Sequence, residues 1–175
     1  MADNSERDEL VLAGNVCFGC GEENGQGLHV SMYREPDARS LRGEFRPGPD
    51  IVGIPGITHG GAIYTAMDCM ATWSGMALKQ TKALWVLRSA STTYHRPALE
   101  GDPVSLSAFI EDEGGEWDAI QVRVEARNPE DDVLVEGLFK VIHLAPDRFK
   151  TLVGMDELPA GWTEWLESEA SPSAT

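Results

Sequence analysis

The sequence predicts an α+β fold, a curved antiparallel sheet of about six strands wrapped round one long central helix. Three observations carry this. From Ala62 to Leu78 the chain has no charge except Asp68, and a helix apolar on nearly every face belongs inside a protein. On both sides of that run lie segments that alternate apolar and polar residues, the period of half-buried strands. Glycine, proline and acidic clusters separate those segments at hairpin spacing.

Residues 1–14 are polar and acidic and read as a mobile tail, or as a short helix over Asp8 to Leu12. The domain proper then runs from 15 to 146. Gly25-Gln26-Gly27 opens a strand over Leu28 to Tyr33, Asp37-Ala38-Arg39 is a hairpin turn, and Leu41 to Phe45 pairs back. Arg46 to Thr58 holds three prolines and three glycines and reads as an irregular loop delivering the chain to the helix. Pro55 and Gly56 lie outside the helix start, and Thr58 or His59 can cap it.

Beyond the helix, Ala83 to Arg96 alternates between two faces. Leu84, Val86, Arg88, Ala90, Thr92 and Tyr94 form one, and Trp85, Leu87, Ser89, Ser91 and Thr93 the other. Strands over Pro103 to Ile110 and Ala119 to Ala126 flank an acidic turn at Glu111 to Glu116, and Asn128 to Asp132 turns into a last strand over Val133 to Leu144. Residues 147–175 form a C-terminal extension. Phe149, Leu152, Trp162 and Trp165 are expected in a short helical cap, and the small polar residues from Ser168 onward are expected to be disordered.

A chain of 175 residues with ordinary apolar and charged fractions suits one domain. Its net charge of −15 argues against nucleic-acid and anionic-membrane partners. No apolar run has the length of a membrane span, and the start lacks a signal core, so the expected compartment is the cytoplasm. Cys17, Cys20 and Cys69 are an odd count, which does not suit a disulfide framework. A closed zinc site needs four ligands, and no second pair follows Cys17 and Cys20 at knuckle spacing, so the pair reads as structural. Were a metal present, His29 would be the nearest third ligand.

The chemistry gathers on the central helix. At about 100° per residue, Gly61, Thr65, Asp68, Thr72 and Gly75 share a stripe roughly 80° wide, of small or polar groups only. A small or polar group is expected to approach it. A carboxylate buried without a nearby cation is costly, which marks Asp68 as a functional candidate. Gly60 and Gly61 leave the first N–H groups of the helix unobstructed at its partly positive end, where they can hold a carbonyl oxygen as it gains negative charge.

His59-Gly60-Gly61 followed by Asp68 nine residues after the His resembles the signature of the hotdog-fold thioesterases. Cys17-Phe18-Gly19-Cys20-Gly21 with Gly27-Leu28 is similar to the Cys-Phe-x-Cys-Gly opening of one branch of that superfamily. Tyr94-His95-Arg96-Pro97-Ala98 with Gly101-Asp102 resembles its Arg-Pro corner. The three motifs run in the family's order from Cys17 to Leu144. One departure stands out, since several members carry Asn or Gln six residues before the His and this chain has Gly53.

The resemblance implies hydrolysis of an acyl-CoA thioester without metal or organic cofactor, in sites at a homodimer interface, with a homotetramer open as a dimer of dimers. Gly60 N–H would polarise the carbonyl, and Asp68 would serve as general base or as nucleophile. Thr72 would orient water or hydrogen-bond Asp68, while His59 would contact the thioester or cap the helix. Gly61, Thr65, Ser91 and Thr93 are further substrate-binding candidates. Candidate cations for CoA phosphates are Arg88, Arg96, Arg127, Lys140, Arg148 and Lys150. Geometry independently demands two subunits, because Gly60 and Asp68 lie about 12 Å apart along one helix. A silent acyl-CoA sensor and a hotdog hydratase or dehydratase are the alternatives.

Overall fold

The computed structural model describes residues 8–36, 39–79, 83–114 and 119–168. Its main sheet has seven strands: β1 (Asp8–Glu9), β2 (Ser31–Arg34), β3 (Ser40–Phe45), β6 (Leu84–Tyr94), β7 (Val104–Glu113), β8 (Ile120–Arg127) and β9 (Val133–Leu144). They lie in the order β1-β2-β3-β7-β8-β9-β6, every pair antiparallel. A separate small hairpin pairs β4 (Val52–Ile54) with β5 (Ile57–Thr58), and α1 (Gly60–Leu78) follows it directly. Two short helices, α2 (Pro146–Val153) and α3 (Ala160–Glu167), close the described chain.

The seventh strand corrects the reading of residues 8–12. Asp8 and Glu9 pair with Arg34 and Tyr33 instead of forming a tail or helix. Leu10 N–H extends the pairing to the Met32 carbonyl, and Leu12 is buried in the core. Two apolar side chains in reach of an open sheet edge outweigh the acidic composition around them. The next strand starts later than its alternation suggests. Leu28 and Val30 donate instead to the Phe18 and Gly19 carbonyls, and His29 between them has φ of 52°.

The segment 46–58 is more ordered than its prolines and glycines suggest. Pro49–Ile51 make a 3-10 turn, and Gly56, at φ of 79°, turns β4 back into β5. Thr58 N–H bonds to the Ala98 carbonyl and His59 N–H to that of Ile51, which fixes where the helix begins. Asp37 and Ala38 of the first expected turn lie outside the described residues, as do Gly115 to Asp118 of the acidic turn. Glu111 to Glu113 belong to β7 rather than to that turn, because Lys79 pairs with Glu113 and Arg123 with Glu111.

Residues of α1 are buried on several sides, among them Ile63, Ala66, Met67, Met70, Ala71, Trp73 and Met76. The helix packs on the face of the sheet that carries Leu106, Ala108, Val122, Val124, Phe139 and Val141, all essentially inaccessible. Two glycines let the backbones close in. A Cβ on Gly43 would stand 2.6 Å from Met70 Sδ, and one on Gly75 only 2.3 Å from Trp85 Cδ2.

Strand β6 is a sheet edge and contains a bulge. Leu87 opposes Val141 while Ser89 opposes Lys140, so Arg88 is the extra residue. A one-residue insertion reverses which face each later side chain occupies. Trp85 faces the helix before the bulge, whereas Thr92 and Tyr94 face it afterwards. At the C-terminus, Phe149 stacks near Trp162 at 6.0 Å, and Trp162 and Trp165 pack on the core as the expected cap. Leu152 does not join them and is 65% exposed. Ser168 ends α3 by donating its N–H to the Glu164 carbonyl, and the rest of the tail lies outside the described residues.

Candidate active site

The helix start is built by His59 and Tyr94. His59 is the N-cap, and its Nδ1 accepts the Gly61 N–H at 2.9 Å. The imidazole thereby takes the capping role, and Gly61 N–H is committed to it. Gly60 N–H, the first of the helix, has no partner among the described residues. The Tyr94 hydroxyl donates to the Gly60 carbonyl at 3.0 Å, from a ring lying against Gly60. Position 53 abuts the same turn, since a Cβ there would meet His59 Cα and Cδ2 at 3.3 Å. A longer amide side chain would have to displace the cap.

Two turns along the helix, Asp68 is half-buried. Thr72 donates its hydroxyl to Asp68 Oδ1 at 3.4 Å, a long bond joining neighbours on one helix face. Burial pushes the carboxyl above its ordinary value, the Thr72 bond opposes that, and the Cys17 sulfur adds to the rise. Tyr64, four residues before Asp68, has its phenol shifted upward by burial first and then by the Asp68 and Tyr94 charges. Its ring lies 5.7 Å from that of Phe139.

Not all of the expected stripe faces open space. Trp85 fills the hollow above Gly75, so a large apolar ring approaches there instead of a small polar group. Thr65 returns its hydroxyl to the Gly61 carbonyl at 2.9 Å, and its methyl lies against Gly19. Only Asp68 and Thr72 keep the polar character read from the sequence.

Ser91 and Thr93 are not brought to this site. They oppose Leu138 and Glu136 on the outer face of the sheet, whereas Thr92 and Tyr94 face the helix. The bulge at Arg88 is the cause, since strict alternation continues the parity of Trp85 and Leu87 past it. Arg96 is also directed elsewhere. It pairs with Asp132 at 3.5 Å and shares a surface hollow with Asp102 and Glu130. Arg127 and Lys150 are likewise paired, with Glu125 and Asp147. Arg88 and Lys140 form no ion pair among the described residues.

Tyr94 and Tyr64 were not among the candidates drawn from the sequence. The alternation of 83–96 places Tyr94 with Thr92 on one face, but nothing in the sequence says that this face meets Gly60. Tyr64 sits one turn before Asp68 on the helix, a signal that was available.

Beside Asp68 the chain gathers three thiols. Cys17, Cys20 and Cys69 are unbridged, and their sulfur atoms all lie within 4.8 Å of one another. The third member is thus Cys69, not His29, because α1 carries it to a knuckle 49 residues earlier in the chain. Hydrogen bonds from the Cys20 and Cys69 thiols hold Cys17 well below the ordinary thiol range, while giving those bonds, together with burial, pushes the other two up.

Residues 55–135 match the family model of the thioesterase superfamily. The match leaves out the Cys17–Gly21 opening. No protein of curated function matches the sequence. Among solved structures, the thioesterase superfamily protein RHA08564 is similar at TM-score 0.61 and 24% identity, over 70% of this chain and 57% of that one. This chain therefore spans little more than half of that protein's length. The E. coli PaaI protein of the phenylacetic acid degradation operon is similar at TM-score 0.58 and 13% identity, over 67% and 81% of the two chains. An acyl-CoA hydrolase from Staphylococcus aureus, solved with butyryl coenzyme A and coenzyme A, gives TM-score 0.55 and 18% identity, over 62% and 65%. At such identities the likeness shows the fold. This chain has the hotdog fold, and its residues 55–135 match the model of the thioesterase superfamily.

Proposed function

We propose that this protein hydrolyses the thioester of a small or medium acyl-CoA to the free acid and CoA, in two sites at a homodimer interface. The observation that carries the reading is the pairing, on one buried helix, of a Gly60 N–H without a partner among the described residues and the half-buried Asp68. The thioesterase-superfamily match over both residues supports it.

The two groups are about 12 Å apart on an unbroken helix, so a carbonyl held by Gly60 is served by Asp68 of a second copy. Strand β6 offers the surface for that copy. It is a sheet edge, and from Arg88 to Ser91 its residues are exposed. Open edges of this length are normally paired or covered. Gly60 N–H takes up the charge that grows on the thioester oxygen, and the helix dipole adds to it. Asp68 either removes a proton from the attacking water or attacks the carbonyl carbon itself, expelling CoA thiolate and leaving an anhydride for water to open. Thr72 holds the carboxylate in either route. Arg88 and Lys140, which form no ion pair among the described residues, are the candidates proposed to receive CoA phosphates. No step calls for a cofactor.

The deciding experiment is thiol release from short, long and aromatic acyl-CoAs by the wild-type protein and by Asp68→Asn. Turnover that falls by about 100-fold or more in the variant, with the dimer intact, is the expected result. A wild type that binds CoA esters and never cleaves them would be the sensor instead. Equal rates in both proteins would remove Asp68 from the reaction.

A further inference from the structure

We infer that Cys17, Cys20 and Cys69 form a three-thiolate site for a zinc ion, with its fourth position open on the side of Cys17. The sulfur atoms are arranged for it. Cys17 Sγ and Cys69 Sγ stand 3.8 Å apart, and all three lie within 4.8 Å. A zinc ion bonded to thiolates at about 2.3 Å in a tetrahedron puts its sulfurs roughly 3.8 Å apart. A disulfide would need two of them at about 2.0 Å and would leave the third unused.

Two further features point the same way. The sulfur of Cys20 accepts N–H groups from Trp73 Nε1 at 3.3 Å and Asn15 Nδ2 at 3.5 Å. Such outer contacts orient a ligand and spread its charge. The knuckle is also shaped around the third sulfur. A Cβ on Gly19 would sit 2.3 Å from Cys69 Sγ, and one on Gly21 would sit 2.4 Å from the Cys17 nitrogen. Only glycine at 19 lets the helix cysteine reach the turn. Gly21 N–H closes that turn on the Cys17 carbonyl at 2.9 Å, directing both knuckle cysteines toward one point. Cys17 is exposed, so an ion can enter and keep a water as fourth ligand, while Cys69 anchors the site in the core. Zinc fits three thiolates because it is borderline soft and accepts tetrahedral sulfur coordination without redox chemistry. Bound there, it ties residues 17–20 to α1 beside Asp68.

The test is a titration of the reduced full-length protein with cobalt(II) in the absence of oxygen, followed by zinc(II). One equivalent of cobalt should give intense tetrahedral visible bands and a thiolate charge-transfer band, both erased by one equivalent of zinc. Zinc should raise the unfolding temperature of the wild type. Cys17→Ser, Cys20→Ser and Cys69→Ser should each lose tight binding, and Trp73→Phe should weaken it about 10- to 100-fold. The wild-type titration decides even if Cys69→Ser fails to fold. No saturable cobalt spectrum at micromolar metal would overturn the site. So would a folded Cys69→Ser that binds as tightly as wild type, or a wild-type chain found as a disulfide that takes up no metal.

Discussion

The Tyr94 hydroxyl donates to the Gly60 carbonyl at 3.0 Å, tying the free edge strand of the sheet to the first residue of the central helix. That bond holds the Gly60–Gly61 peptide, and with it the first turn of the helix, against β6. Tyr94 is accordingly a positioning residue. Tyr94→Phe keeps the ring against Gly60 and removes only the donor, so the expected loss of stability is about 0.5–1.5 kcal/mol by denaturant unfolding. In thiol-release assays kcat should fall with KM little changed, because the bond steadies the first turn from which the Gly60 N–H meets the transition state. A fall in stability with unaltered kcat would confine Tyr94 to a structural role.

How far the sequence reached depends on whether a signal was local. The helix, its His59 cap and the Asp68–Thr72 pair follow from spacing along one segment, and the structure places all three there. The bulge at Arg88 does not, because it exists only in the pairing of β6 with β9. Its effect was to exchange Ser91 and Thr93 for Thr92 and Tyr94 on the helix side. Cys69 reaches Cys17 and Cys20 only after α1 packs under the knuckle, so a count of nearby ligands pointed to His29. The strand at Asp8–Glu9 is similar, since its pairing energy comes from β2 and not from its own composition.

Gly75 has the indole of Trp85 where a side chain would begin, 2.3 Å from the ideal Cβ. Gly75→Ala would favour the helix by propensity, by about 1 kcal/mol. The clash is with a ring 6% exposed in a packed core, which has little room to shift. Overpacking of this kind costs about 1–3 kcal/mol. The expected outcome is a net destabilisation in chemical unfolding, and a more stable variant would show that the ring moves freely.

Thr72 is the residue that holds the Asp68 carboxylate, through one hydroxyl at 3.4 Å. Thr72→Val keeps the shape and removes the donor, while Thr72→Ser keeps the donor. Hydrogen bonds to a charged group contribute about 1.5–3 kcal/mol, so the valine variant should lose about 10-fold or more in kcat/KM for acyl-CoA hydrolysis. The serine variant should retain most of it. Equal loss in both would assign the effect to packing of the threonine methyl.

Complementation between subunits provides the sharpest check of the composite site. Asp68→Asn keeps Gly60, and Gly60→Pro keeps Asp68 while deleting the Gly60 N–H. Proline is favoured at the first helical position, and His59 already has the extended φ and ψ that precede it. Tyr94 must yield slightly, since its ring lies 3.1 Å from where a Cβ would stand. Each variant alone should be nearly inert. Unfolded together and refolded at equal amounts, half the dimers pair the two chains, and each such dimer has one site with both groups intact. Activity should return to about a quarter of the wild-type value. A mixture as inert as its parts, with mixed dimers present, would mean that Gly60 and Asp68 of the same chain serve one substrate, against the length of the helix between them.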